Sequence, residues 1–450
     1  MTTPDPEAPS PRRALGWTFL ASIATSGGMA ILSLITGILT ARLLGTDGRG
    51  EVAAISTWLL TLTWMSSLSF THGLAFYHSK RRLTDAATLT TALASVPLLG
   101  ALGVLAAQLL VPLGFSAQTE ETQQLARLFL CGIPLVLGLE TCWDLLMAYH
   151  RFRFLNATRI AQPAVYALAL VVLAVTDRFT VTAVLLWQVA SFAIVFLITA
   201  TVLVRELGLS RPRWDVSRES IRYGLRLQGV ALGQLVTGRL DVMLLPAFVT
   251  AAAIGYYSIA VNVTSIVMSF FGGLSLIVFP VASRAERHAM GPVVESGLRM
   301  ALVGGLAMVL AIAVTAPWLV PFVYGEDFHG AVLPLWLLLP GVLLWCANTI
   351  VSAGLEALDM PGRASMAQIA GIVVTVVGLI ATLPVWGIVG AAITSSLAYA
   401  TTFFISTHLL RRTRTVSLRA ALHPRLMASD TRAMVRQIAE KAGAGRGRAD

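Results

Sequence analysis

The sequence predicts an all-α polytopic membrane protein with about twelve transmembrane helices in two six-helix bundles, and three observations carry that prediction. The 450-residue chain is 56% hydrophobic and only 12% charged, with mean hydropathy +0.76, whereas a soluble domain carries about 25% charged residues. Apolar windows of spanning length recur from end to end with short connections between them. The arginines gather in alternate connections, as the positive-inside rule requires of a multi-pass chain.

Taken in order, the windows fall at roughly 17–44, 52–78, 86–112, 122–148, 155–176, 180–204, 221–249, 255–282, 293–320, 331–357, 364–384 and 387–410. One set of connections carries Arg12 and Arg13, then Lys80, Arg81 and Arg82, Arg151 and Arg153, and Arg205, Arg211, Arg213 and Arg218. The same set continues with Arg284 and Arg287, Arg363 and the C-terminal tail. The alternate set is neutral or mixed, with Asp47, Arg49 and Glu51, Glu120 and Glu121, Asp177 and Arg178, and Glu326 and Asp327. This pattern places both termini in the cytoplasm of a cell-membrane protein. The first apolar run lacks the short core and cleavage site of a secretory signal and reads as a retained span.

The formal net charge of +10 is a matter of topology rather than nucleic-acid binding. From Arg411 to Asp450, ten basic residues face three acidic ones, so this stretch alone supplies +7. It is suited to lie on anionic lipids of the cytoplasmic leaflet. Cys131, Cys142 and Cys346 fall in apolar windows without CxxC spacing and read as small buried hydrophobes. Neither a metal nor a cofactor motif is present. The Gly-rich GTDGRGE at 45–51 lacks the Lys-Ser/Thr ending of a phosphate-binding loop.

A weak internal repeat sets the domain plan. GEVAAIS from Gly50 and GYYSIAV from Gly255 each follow the first span of a half, and LCGIP at 130–134 aligns with LPGVL at 339–343. Six spans per half insert in the same orientation, which predicts parallel repeats about an axis along the membrane normal. The plan is a polar N-terminal segment 1–15, a first bundle 16–204, a cytoplasmic linker 205–220, a second bundle 221–411 and a basic tail 412–450.

Ionisable residues within spans are costly and mark polar paths or paired contacts. Arg239 and Asp241 interrupt the apolar run from Gly229 to Val249. On a helix they point about 200° apart, so each needs its own partner. Asp241 shares a face with Gln234, and Arg239 with Gln228. Glu140 and Asp144 stand one turn apart in the fourth span, an arrangement suited to ion coupling or to pairing with a cation such as Arg151. Asn348, Ser352 and Glu356 form a polar stripe in the tenth span and are candidates to line a cavity. Small polar residues of this kind also serve close helix packing.

The string ARLLGTDGRGEVAAIS, with Gly45 and the Gly48-Arg49-Gly50-Glu51 turn, resembles the Wzx-type oligosaccharide flippases of the multidrug/oligosaccharidyl-lipid/polysaccharide exporter superfamily. GRLDVMLLPAFVTAAAIGYYSIAVNV resembles the corresponding stretch of their second half. The resemblance extends over 16–411 and implies two bundles around a central cavity, alternating access, and an undecaprenyl-pyrophosphate-linked oligosaccharide as cargo. It implies that a cationic cavity residue engages the anionic head group, for which Arg239 with Gln228 is best placed. Glu140, Asp144, Asp241 and Gln234 are then the candidates to couple H⁺ or Na⁺, and Arg49 and Glu51 belong to an external gate loop. A polysaccharide polymerase is a plausible partner of such a protein.

Two other functions compete with this expectation. A cation-coupled multidrug exporter of the same superfamily would favour an acidic, aromatic cavity. A membrane-bound glycosyltransferase or acyltransferase would need a catalytic cluster on sizeable loops, and the external connections here are short. The expectation is therefore a transporter, not an enzyme.

Overall fold

In a computed structural model the described residues are 11–80, 83–284 and 287–413, and the expected lipid contact of the basic tail beyond 413 lies outside them. Those residues form twelve helices and no strand. In chain order they are α1 Pro11–Ser66, α2 Phe70–Ser79, α3 Asp85–Gly114, α4 Glu120–Leu130, α5 Ile133–Ala148 and α6 Phe152–Val175. After these come α7 Val181–Leu207, α8 Trp214–Leu244, α9 Ala251–Arg284, α10 Arg287–Tyr324, α11 Val332–Ala357 and α12 Pro361–Arg411. Short 3-10 turns, Leu245–Ala247 and Glu326–Ala331, follow α8 and α10.

Local chemistry sets several boundaries. Thr84, Thr119 and Thr180 cap α3, α4 and α7 by accepting from the backbone N–H three residues on. Gly208, at φ 74, ends α7. Two long helices bend at single glycines: Gly45 in α1 (φ 69, ψ −169) and Gly387 in α12 (φ 52, ψ −129). Those dihedrals lie where only glycine is at ease.

Among the described residues eight helices are long and apolar enough to cross a membrane, or nine if α4 and α5, bent by 41°, count as one span. The expected twelve is not reached by this count, in which α8 does not appear and α1 and α12 are each counted once although Gly45 and Gly387 divide each into two helices near the boundaries of the sequence windows. The window 52–78 is itself divided, with Leu68 and Ser69 at positive φ between α1 and α2. Cys131 is exposed rather than buried, since it falls at the break between α4 and α5.

The chain splits into two compact units. One holds the residues up to Leu235 together with Val242–Gly255, and the other holds Val236–Asp241 and the residues from Tyr256 onward. The division falls within α8 and the turn after it, whereas the sequence placed a linker at 205–220. In the first unit Leu74, Leu89, Leu137, Leu145 and Leu203 build a core among α2, α3, α5 and α7. In the second, Val267, Leu298, Val342, Ile350 and Phe403 do the same for α9 to α12.

The outward faces are as apolar as the cores. Leu98, Leu102, Leu105, Leu109 and Leu113 form an exposed stripe on α3, and Ile369, Val373, Val377 and Ile380 form another on α12. In water such stripes would be a liability, and in hydrocarbon they cost nothing. The molecule is a multi-pass membrane protein.

Candidate functional site

Asp241, near the end of α8, is a buried in-span charge of the second unit with two hydroxyl donors. Its side chain is 7% exposed. The Tyr257 hydroxyl on α9 donates to its Oδ2 at 2.5 Å, and the Ser395 hydroxyl on α12 donates to the same oxygen at 3.0 Å. A buried carboxylate must be hydrogen-bonded to be tolerated, and here three helices contribute to one polar node. Tyr399, one turn beyond Ser395, is also buried.

Arg239 follows the opposite course. It is exposed and makes no ion pair or hydrogen bond among the described residues. The helical geometry that separates it from Asp241 thus leaves one side chain fixed and the other free. The side chains of Gln228 and Gln234, expected beside them, lie outside the described residues. On α11, Asn348 is 8% exposed with its Oδ1 unpartnered. Ser352 is half-buried and Glu356 exposed, so this stripe grades from core to surface.

In the first unit the acidic pair of α5 acquires company. Glu140 and Asp144 are both half-buried. His72 Nδ1 on α2 lies 3.6 Å from Asp144 Oδ2, an attraction that requires the imidazole to be protonated. The Arg159 guanidinium on α6 sits 6.0 Å from the centroid of the Trp143 ring beside them. Arg151 is not the partner of this pair. It binds Glu206 on α7 instead, because α6 starts one residue later and turns its first side chains toward the end of α7.

The stretch expected to be an external gate loop is helical. Only Gly45 departs from helix, and α1 resumes at once, so Arg49 and Glu51 are carried on its second arm. Arg49 Nη1 donates to Thr40 Oγ1 at 3.0 Å across the kink. Glu51 Oε1 accepts from Thr122 Oγ1 on α4 at 2.8 Å. Between Arg49 and Glu51, Gly50 meets the start of α9: a Cβ on Gly50 would stand 1.7 Å from the Ala251 carbonyl oxygen, and one on Gly255 would stand 2.3 Å from that of Thr46. The same end is closed by Trp58, whose indole donates to Met243 O at 2.8 Å, and by Gln118, whose amide donates to Val249 O at 2.7 Å.

Sequence reasoning missed Tyr257, Ser395, His72 and Arg159. Arg159 was findable, since it is a cation within an apolar window and meets the criterion that selected Arg239. Tyr257 and Ser395 carry no such signal, because neutral hydroxyls are common in spans. Among the described residues no group of three or more His, Cys, Asp or Glu is placed to hold a metal.

Comparison with known proteins agrees with this architecture. Residues 39–333 match the family described as polysaccharide biosynthesis protein. A probable low-salt glycan biosynthesis flippase, Agl15 of Haloferax volcanii, is 24% identical over 207 residues, which are 45% of this chain and 44% of that protein. The match thus spans less than half of that relative's length.

Among solved structures, the lipid II flippase MurJ in an inward closed conformation superposes with TM-score 0.74 at 14% identity, covering 90% of this chain and 89% of that one. An inward-facing multidrug resistance transporter of the MATE family gives TM-score 0.65 at 13% identity over 86% and 95%. The MATE multidrug transporter DinF-BH gives 0.63 at 16% identity over 92% and 99%. Identities this low establish a shared fold alone. The family match covers well over half of the 450 residues, and the chain therefore belongs to the polysaccharide biosynthesis protein family, with the fold of MurJ and the MATE transporters.

Proposed function

We propose that the protein is a flippase that moves an undecaprenyl-pyrophosphate-linked oligosaccharide from the inner to the outer leaflet of the cell membrane, for cell-surface polysaccharide synthesis. The observation that carries this reading is Arg239, a cation exposed and, among the described residues, unpaired on α8 two residues from a buried, hydroxyl-bonded carboxylate. An arginine that stabilised helix packing would be paired, and an unpaired one in an apolar span is suited to a ligand anion. Family membership, the match to a glycan biosynthesis flippase and the fold shared with a lipid II flippase support a lipid-linked glycan as that ligand.

In this reading Arg239, with Gln228, attracts the pyrophosphate, and the lipid tail stays in hydrocarbon. Glu140 and Asp144, facing His72, couple H⁺ or Na⁺ movement to alternating access. Asp241 holds α8 to α9 and α12 and so serves as scaffold. Arg49 and Glu51 brace the outer end, where Gly50 meets Gly255. Both termini face the cytoplasm, as the distribution of arginines requires.

A fluorescent undecaprenyl-pyrophosphate oligosaccharide in proteoliposomes tests the proposal. Protein-dependent loss of probe from one leaflet is the expected result, and equal rates with and without protein would overturn it. The likeness to MATE transporters favours a second reading, a cation-coupled drug exporter. That reading predicts raised resistance of expressing cells to cationic dyes and no movement of the lipid probe.

A further inference from the structure

We propose that the inner end of the first unit carries a binding site for the phosphate headgroup of an anionic phospholipid. A cavity of about 730 Å³ opens where α5 turns into α6 and α7 ends, lined by His150, Arg151, Phe152, Arg153, Phe154 and Glu206 among others. The turn is made by His150 in a left-handed conformation, φ 58, and His150, Arg151 and Arg153 line one concave surface.

The basic groups have different duties. Arg151 is pinned by Glu206 on α7, so its guanidinium is held in place at the wall of the cavity. Arg153 is exposed and makes no ion pair or hydrogen bond among the described residues, which leaves its donors for a ligand. A planar guanidinium with five donors suits phosphate oxygens. Phe152 and Phe154, both half-buried, supply apolar wall beside the charges, and the His150 ring lies 5.9 Å from that of Phe152. Cations above an aromatic, apolar wall complement a lipid whose phosphate leads into acyl chains. A free anion would make no use of the wall.

Charge complementarity identifies the source. The site lies among the Arg-rich connections assigned to the inner face, where anionic lipids create a negative surface potential. Its residues are distinct in sequence from the basic tail, and it does not depend on what the protein transports. The inference rests on the inner-face assignment made above.

The test uses the full-length protein in detergent micelles, titrated with short-chain phosphatidylglycerol and followed by thermal stability. Arg153→Ala should weaken the apparent affinity about tenfold or more, the loss of a direct hydrogen bond between charged groups, and Arg153→Glu should weaken it further. Arg211→Ala, in the neighbouring connection at the same face, should change it less than twofold. The tail is present in every variant, so its attraction cancels. Equal loss in Arg211→Ala would reduce the effect to the general surface field and overturn the site. The same stabilisation by inorganic phosphate alone, or by phosphatidylcholine, would overturn a lipid headgroup as the ligand. Binding in micelles is read without sidedness or cargo, so a failed flipping assay leaves this result interpretable.

Discussion

Gly50 and Gly255 each press against the carbonyl that lies four residues before the other, Gly50 on Ala251 and Gly255 on Thr46. The contact is reciprocal: residues 46 and 50 stand to 251 and 255 at one offset of 205. The close approach explains why glycine occupies both positions.

Adding one methyl at either glycine should therefore be disruptive. Gly50→Ala places a Cβ 1.7 Å from a backbone oxygen, and Gly255→Ala places one 2.3 Å away. Each is expected to cost about 1–3 kcal/mol or more as the helices separate, with Gly50→Ala the worse. Gly27→Ala, with nothing within 4 Å of its Cβ, is the neutral control. Thermal denaturation in detergent ranks the three.

Gly45 separates backbone strain from crowding. A Cβ there has open space, with nothing within 4 Å, but φ is 69 and ψ −169. That region is essentially reserved for glycine and costs other residues about 1–3 kcal/mol. Gly45→Ala should lower the melting temperature despite the available space. An unchanged melting temperature would mean that the bend is not held rigidly.

The Asp241 node predicts a hierarchy of losses. Tyr257→Phe and Ser395→Ala each remove one donor to a buried carboxylate, worth about 1.5–3 kcal/mol for a bond to a charged group. The tyrosine, at 2.5 Å against 3.0 Å, should matter more. In an Asp241→Asn background both losses should shrink, because the negative charge that both donors share is gone. Double-mutant cycles on melting curves measure this coupling.

The acidic pair of α5 predicts a functional effect. Asp144→Asn removes the carboxylate that faces His72 at 3.6 Å. It should leave the protein in the membrane and abolish the response of transport to an imposed ion gradient. His72→Gln should weaken that response rather than abolish it. Transport rates in proteoliposomes with and without a pH or Na⁺ gradient distinguish the two.

The membrane class and the separation of Arg239 from Asp241 were legible in the sequence because hydropathy and the 100° helical step determine them. The twelve windows were less faithful. Hydropathy registers polar breaks, and its division at 45–51 falls beside the kink at Gly45 where two helices of α1 meet. It overlooked the apolar break between α4 and α5, where turn geometry rather than composition interrupts the helix. The site was legible only in its charges. Asp241 was visible, but Tyr257 and Ser395 lie 16 and 154 residues away, and nothing local marks a hydroxyl as its donor.

The central claim is that Arg239 receives the anionic head group, and its most direct measurement is surface glycan in cells whose only copy is Arg239→Ala. The account predicts that glycan is lost while the protein remains in the membrane at its normal level with unchanged melting temperature, and that Arg239→Lys restores part of it. Normal glycan in Arg239→Ala cells would contradict the account.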